Sequence, residues 1–223
     1  MRGDSRDQIM ARLRRAGRHS AAEAEQKLVA LGGSPAPGAA NGDLARELVL
    51  NIRRNQGTVD AVEDKAAAVG AIATYLRQHF RTQRLVAGAD PRLAALPWRN
   101  ERLLPRFGAA EDGDPVALSY AVMGVAETGS ILLYSGREDP AANRLLPEAH
   151  LVLVDTTDIV AGLGNACARM ETDFAGAGRP RGIAMSSGPS STADIEFTLV
   201  QGAHGPRQWH VILVGKGAGK ALQ

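Results

Sequence analysis

Three runs constrain this chain more than anything else in it: residues 116–126, 130–134 and 151–154 are almost unbroken apolar sequence. A strand with one face in water alternates apolar and polar side chains. A strand apolar at nearly every position must instead be covered on both faces. The stretch 208–214 completes the set, with Trp209, Val211 and Leu213 alternating with His210, Ile212 and Val214. Shorter strands are expected at 58–62, 84–87 and 182–186. Between them, helical spacing predicts helices over 43–57, with Asp43 as N-cap, over 64–80, with Val69, Ile72, Ala73 and Leu76 on one face, and over 158–170. A further helix is expected over 191–201, ending at Gly202. Pro91, Pro97 and Pro105 break up residues 90–112, where no long element is assigned. Helices and strands that alternate in this way predict an α/β fold, an open sheet between two helical layers.

The ends read differently. Residues 5–31 have the pattern of a helical arm, and the breaker-rich stretch 32–42, with Pro35 and Pro37, reads as a linker. The expected organisation is therefore an arm and linker over 1–42, an α/β domain over 43–214, and a Gly/Lys-rich tail over 215–223 that frays.

Composition removes several classes of function. The 26 Lys and Arg against 24 Asp and Glu give a net charge of only +2, so no nucleic-acid surface is implied. The six arginines of residues 1–18 read as one solvated helical face. The single cysteine, Cys167, cannot supply the roughly four thiolates that hold an iron–sulfur cluster. The five histidines show no metal-ligand spacing, and no metal is assigned. No run of about eighteen apolar residues suggests a membrane span, and the N-terminus lacks a signal core, so a cytoplasmic protein is expected. Gly162-Leu163-Gly164 and Gly215-Lys216-Gly217 both fail the dinucleotide pattern, and no P-loop occurs; no cofactor is assigned.

Three clusters could carry chemistry. In Ala126-Glu127-Thr128-Gly129-Ser130 a carboxylate interrupts apolar strands, and a charge taken from water needs partners or an open cleft. Glu127 is thus a candidate nucleophile, base or ligand anchor, or else part of a satisfied turn, with Thr128 and Gly129 beside it. The second cluster is the loop holding Ser187, Gly188, Ser190 and Ser191. Opening the expected helix, it would offer backbone N–H groups and a positive dipole end to a small anion. Asp194 and Glu196 could instead be capping that helix themselves. The third is Gly202-Ala203-His204-Gly205-Pro206, where His204 could shuttle a proton or simply be a hydrogen-bonded turn residue, with Gly205 next to it. Convergence of the three on one sheet edge is the geometric expectation.

Taken together, Val125-Ala126-Glu127-Thr128-Gly129-Ser130, Leu146-Pro147-Glu148-Ala149-His150, and Thr192-Ala193-Asp194-Ile195-Glu196 running to Gly202-Ala203-His204-Gly205-Pro206 resemble the LUD-domain family, in its C-type lactate-utilization branch. The resemblance covers roughly 43–214. It implies a three-layer α/β/α sandwich similar to the sugar-phosphate isomerase and CoA-transferase superfamily. It also implies a bacterial role in oxidising L-lactate to pyruvate beside iron–sulfur partner subunits, with this chain binding and assembling rather than carrying electrons. A homo-oligomer stays open. The superfamily's use of a glutamate in CoA transfer leaves an alternative, an acyl-CoA- or carboxylate-processing enzyme acting through Glu127.

Overall fold

The computed structural model describes residues 3–16, 20–31, 42–195 and 198–223, in two units, Met1–Ala36 and Pro37–Gln223. The first unit holds two helices, α1 (Gly3–Ala16) and α2 (Ala21–Ala30), where the sequence reads as one. A new helix begins at α2 because Ser20 and Glu23 form a capping box: the Ser20 hydroxyl accepts from the Glu23 N–H at 3.1 Å, and the Glu23 carboxylate accepts from the Ser20 N–H at 3.0 Å.

In the second unit, α3 (Leu44–Arg54) leads into β1 (Thr58–Val62), α4 (Lys65–His79), β2 (Val86–Ala87), the short α5 (Pro91–Ala94) and β3 (Arg106–Phe107). Then come β4 (Val116–Tyr120), β5 (Met123–Val125), β6 (Ser130–Ser135), β7 (Ala149–Asp155), β8 (Ile159–Val160) and α6 (Leu163–Ala177). The chain closes with β9 (Gly182–Ser186), β10 (Ser191–Ile195), β11 (Thr198–Gln201), β12 (Gln208–Val214) and a 3-10 turn over Ala218–Leu222. Asp43 and Asp64 start α3 and α4 by accepting from the N–H groups of Arg46 and Ala67.

The main sheet has the order β1-β12-β7-β4-β2-β3, parallel at every pairing. Its apolar runs are covered on both faces, as a parallel sheet requires. Leu151 and Leu153 of β7 with Ile212 and Val214 of β12 pack under α4, against Val69, Ile72 and Leu76. Val152, Val154, Val211 and Leu213 point the other way, onto Leu48, Val49 and Ile52 of α3. The result is an α/β/α sandwich around one parallel sheet. A smaller sheet, β8-β5-β6-β9, adds Ile131 and Leu133 to the cluster under the buried face of α3, while α6 sends Ala166 to the cluster around Met123, Val125 and Leu132.

Four sequence expectations change. The run 116–126 is two strands, because the chain leaves the main sheet after Ala121, whose N–H reaches Leu153 O, and joins the small sheet at Val122, whose N–H reaches Leu132 O. The helix expected at 158–170 starts at Leu163, after β8, since Val160 O and Ala161 O accept from the N–H groups of Ala126 and Glu127. The helix expected over 191–201 is the antiparallel hairpin β10–β11, with Ser191 opposite Gln201 and Thr192 opposite Val200. Its β-branched residues Thr192, Ile195, Thr198 and Val200 are stiff at χ1, which disfavours helix and suits a paired strand. The tail expected to fray is pinned, Ala218 and Ala221 being buried in the cluster around α3.

Leu48 is fully buried between two sheets, whereas its neighbour Leu50 is 45% exposed. Leu48→Ala is therefore expected to lower unfolding free energy by about 2–5 kcal/mol in urea titration. Leu50→Ala is expected to change it by less than about 0.5 kcal/mol.

Candidate functional site

The three clusters read from the sequence meet at the amino end of the main sheet. Asn51 Nδ2 donates to Ala126 O at 2.8 Å and Glu127 O at 3.1 Å, and Asn55 Nδ2 to Thr128 O at 2.8 Å. Asn51 of α3 and Asn55, which caps the helix, thus hold the acidic turn by its backbone. Gly129 lies flat on the same helix with φ +66°, and an added Cβ would sit 2.5 Å from the Asn51 carbonyl carbon. Gly188, at φ +139°, approaches just as closely, a Cβ there falling 2.3 Å from Asn55 O. Glycine is required at both for conformation and for space.

A chain of hydroxyls ties the turn to the serine loop, Thr128 Oγ1 to Ser130 Oγ at 2.7 Å and Ser130 Oγ to Ser187 Oγ at 2.6 Å. Ser190, three residues on, belongs to the histidine loop. Its N–H donates to Pro206 O, its carbonyl accepts from Gly202 N, and its Oγ accepts from the His204 N–H at 3.3 Å. Gly205 packs against the Ser190 side chain, and His204 itself is exposed. The Ser187–Ser190 stretch therefore touches both other clusters.

Glu127 faces elsewhere. Its Oε2 accepts from the Leu163 N–H at 3.2 Å, placing the carboxylate at the start of α6, where a negative charge complements the helix dipole. Ser191 opens a strand, so the serine loop does not carry the helix N-terminus that motivated an anion site there. Asp194 lies on β10, and Glu196 falls outside the described residues.

The opposite, carboxyl end of the sheet holds a second constellation that the sequence reading passed over. From β2 the chain runs to β3 across the face covered by Leu93, Leu96 and Trp98. From β4 it runs the other way, across the face that carries Ile131 and Leu133. Adjacent parallel strands whose connections leave on opposite faces open a crevice at their carboxyl ends, the usual ligand position in open α/β sheets.

Tyr120, the last residue of β4, stands there and donates its hydroxyl to Asp155, the last residue of β7, at 2.8 and 2.9 Å from the two carboxylate oxygens. The Arg92 guanidinium lies 4.0 Å from the Tyr120 ring centre and Lys65 Nζ 5.6 Å. Arg92 is aimed by Asp90, which accepts from Nη2 at 2.7 Å, and by Ala121 O, which accepts from Nη1 at 3.3 Å. Burial, then the bond to Asp155, holds the Tyr120 phenol protonated well above its ordinary range. The Asp155 carboxylate, a phenol, Lys65 and the Asp90-paired Arg92 at a crevice suit a small ligand with both an anionic group and a hydroxyl. The signal available in sequence was a Tyr and an Asp closing apolar runs.

On the other face of β4, Ser119 Oγ donates to Asp139 at 2.6 Å and accepts from His150 Nε2 at 2.9 Å, while Arg144 pairs with Asp139 at 2.5 Å and donates to Ser135 Oγ. With the Ser119 proton on Asp139, His150 must carry its own on Nε2. Burial, with Arg144 nearby, pushes the His150 pKa down to about 3. Burial also raises the Asp139 carboxyl against the pull of Ser119 and Arg144.

Residues 114–214 match the model of the LUD domain. A protein of Neisseria meningitidis serogroup B is 38% identical over 96 residues, 43% of this chain and 40% of that one. Lactate utilization protein C of Shouchella clausii is 34% identical over 118 residues, 52% and 51% of the two chains. The chain matches about half the length of these relatives. Lactate utilization protein C of an Exiguobacterium strain aligns further, at 26% identity over 70% of this chain and 71% of that one. A crystal structure of a DUF162 family protein from Deinococcus radiodurans is similar in fold, with TM-score 0.57 at 23% identity over 77% of this chain and 96% of that one.

His150 is neutral in the folded protein and takes up a proton near pH 6.5 once unfolded. The unfolded state then binds more protons, so stability is present above pH 6.5 and is lost as pH falls below it. Unfolding free energy is expected to drop between pH 6.5 and 5.5 with a limiting slope of about 1.4 kcal/mol per unit. His150→Gln is expected to flatten that slope in urea titrations at each pH.

Proposed function

We propose that this chain, whose residues 114–214 match the LUD-domain model and which is similar to lactate utilization proteins C, is a subunit of an L-lactate-oxidising system. In this reading it binds a small 2-hydroxycarboxylate and assembles with iron–sulfur partner subunits, without a redox centre of its own. The single cysteine supports that division of labour, since a cluster needs about four thiolates.

The observation that carries the ligand assignment is the Tyr120–Asp155 pair with Arg92 and Lys65 over the ring, at the switch point of the parallel sheet. The carboxylate of a 2-hydroxy acid meets the two cations, and its hydroxyl donates to Asp155. Asp155 is already oriented by Tyr120, so little ordering cost remains for the ligand to meet. The glutamate-dependent enzyme reading has less support, because the Glu127 carboxylate is engaged at the start of α6.

Two measurements test the two levels of this reading. Deleting the chain from its host is expected to abolish growth on L-lactate, with rescue by the wild-type gene; undiminished growth ends the pathway assignment. Calorimetric titration with L-lactate is expected to show binding that weakens at least fivefold in Tyr120→Phe and further in Asp155→Asn. Lactate binding untouched by both changes would move the ligand away from this crevice.

A further inference from the structure

Beyond the carboxyl-end crevice, we infer that the cleft between the end of β6 and the start of β9 is a second ligand site, for an oxyanion. It has a volume of ≈ 520 Å³ and is lined by Ser135, Gly136, Arg137, Ala141, Arg181 and Gly182. That volume is within the range of small-molecule sites, roughly 300–1,000 Å³.

The antiparallel register sets Ser135 opposite Gly182, so Arg137 and Arg181, just beyond that pair, are held at one end of the ladder. Neither forms an ion pair among the described residues, in contrast to Arg92, Arg106, Arg144 and Arg169, which all do. Both guanidiniums line the same cleft, and an anion bound there would be a counter-charge to both.

The floor of the cleft adds a third donor. Ser135 Oγ accepts from Arg144, which is itself buried and paired with Asp139, so the Ser135 hydroxyl keeps its own proton to donate. The buried Asp139–Arg144 pair is tied to β4 through Ser119, so this hydroxyl is positioned from the core and not by a mobile surface chain. Two exposed guanidiniums and one anchored hydroxyl lining one cleft make a donor set for a phosphoryl or carboxylate group, with Ala141 and the two glycines leaving room for it. The site lies on the small sheet and shares no residue with the Tyr120 crevice.

Calorimetry on the full chain at low ionic strength, with inorganic phosphate and with acetate as separate probes, decides the matter, together with amide shifts of Ser135, Gly136 and Gly182. Saturable binding of at least one anion is expected, weakened at least tenfold in Arg137→Ala/Arg181→Ala and several-fold in Ser135→Ala. Arg137→Lys/Arg181→Lys, which retains the charge, is expected to recover part of the loss. The stronger probe identifies the group as phosphoryl or carboxylate. Absence of saturable binding by both anions, or an equal loss in Arg53→Ala/Arg81→Ala, neither of which lines the cleft, would overturn the assignment.

Discussion

Helix α3 is the element on which the rest of this structure depends, because both sheets pack against its buried face. Leu48, Val49 and Ile52 are fully buried in a cluster that takes Val152, Val154, Val211 and Leu213 from the main sheet and Ile131 and Leu133 from the small one. Burying side chains of this size contributes roughly 1.5–3 kcal/mol each. Both sheets draw on the same helix for that contribution. The polar end of α3 does a second job, since Asn51 and Asn55 donate to the backbone carbonyls of residues 126–128 in the turn between β5 and β6.

This arrangement divides the two ends of the parallel sheet. At the amino end, glycines, asparagines and hydroxyls pack against one another, and the Asn51, Asn55, Thr128, Ser130 and Ser187 side chains have partners within the protein. At the carboxyl end, Tyr120, Asp155, Arg92 and Lys65 stand where two chain connections part, with donors and an acceptor still able to take more partners. The residue types that drew attention in the sequence, a lone carboxylate, a serine-rich loop and a loop histidine, are those a tight junction between two sheets also needs.

How far the sequence could be read depended on the kind of signal. Helices α3 and α4 were legible because apolar residues recur at helical spacing in both and Asp43 sits where the N-cap of α3 belongs. The strands β4, β7 and β12 were legible because a run apolar on both faces admits few other readings. The β10–β11 hairpin was misread because Asp194 and Glu196 imitate the acidic first turn of a helix, while the β-branched residues around them pointed the other way. The buried His150–Ser119–Asp139–Arg144 network was not legible at all, its members coming from two strands and the loop after β6.

By itself, the sequence determined that a sheet would be buried on both faces, because continuous apolar strands have no stable alternative in water. It also determined that the chain cannot hold an iron–sulfur cluster alone, because thiolate count is a property of composition. Only the tertiary structure decided which polar residues share a place. Side chains such as Tyr120, Asp155 and Arg92 become neighbours through strand order and crossover direction, and those arise from packing among elements far apart along the chain.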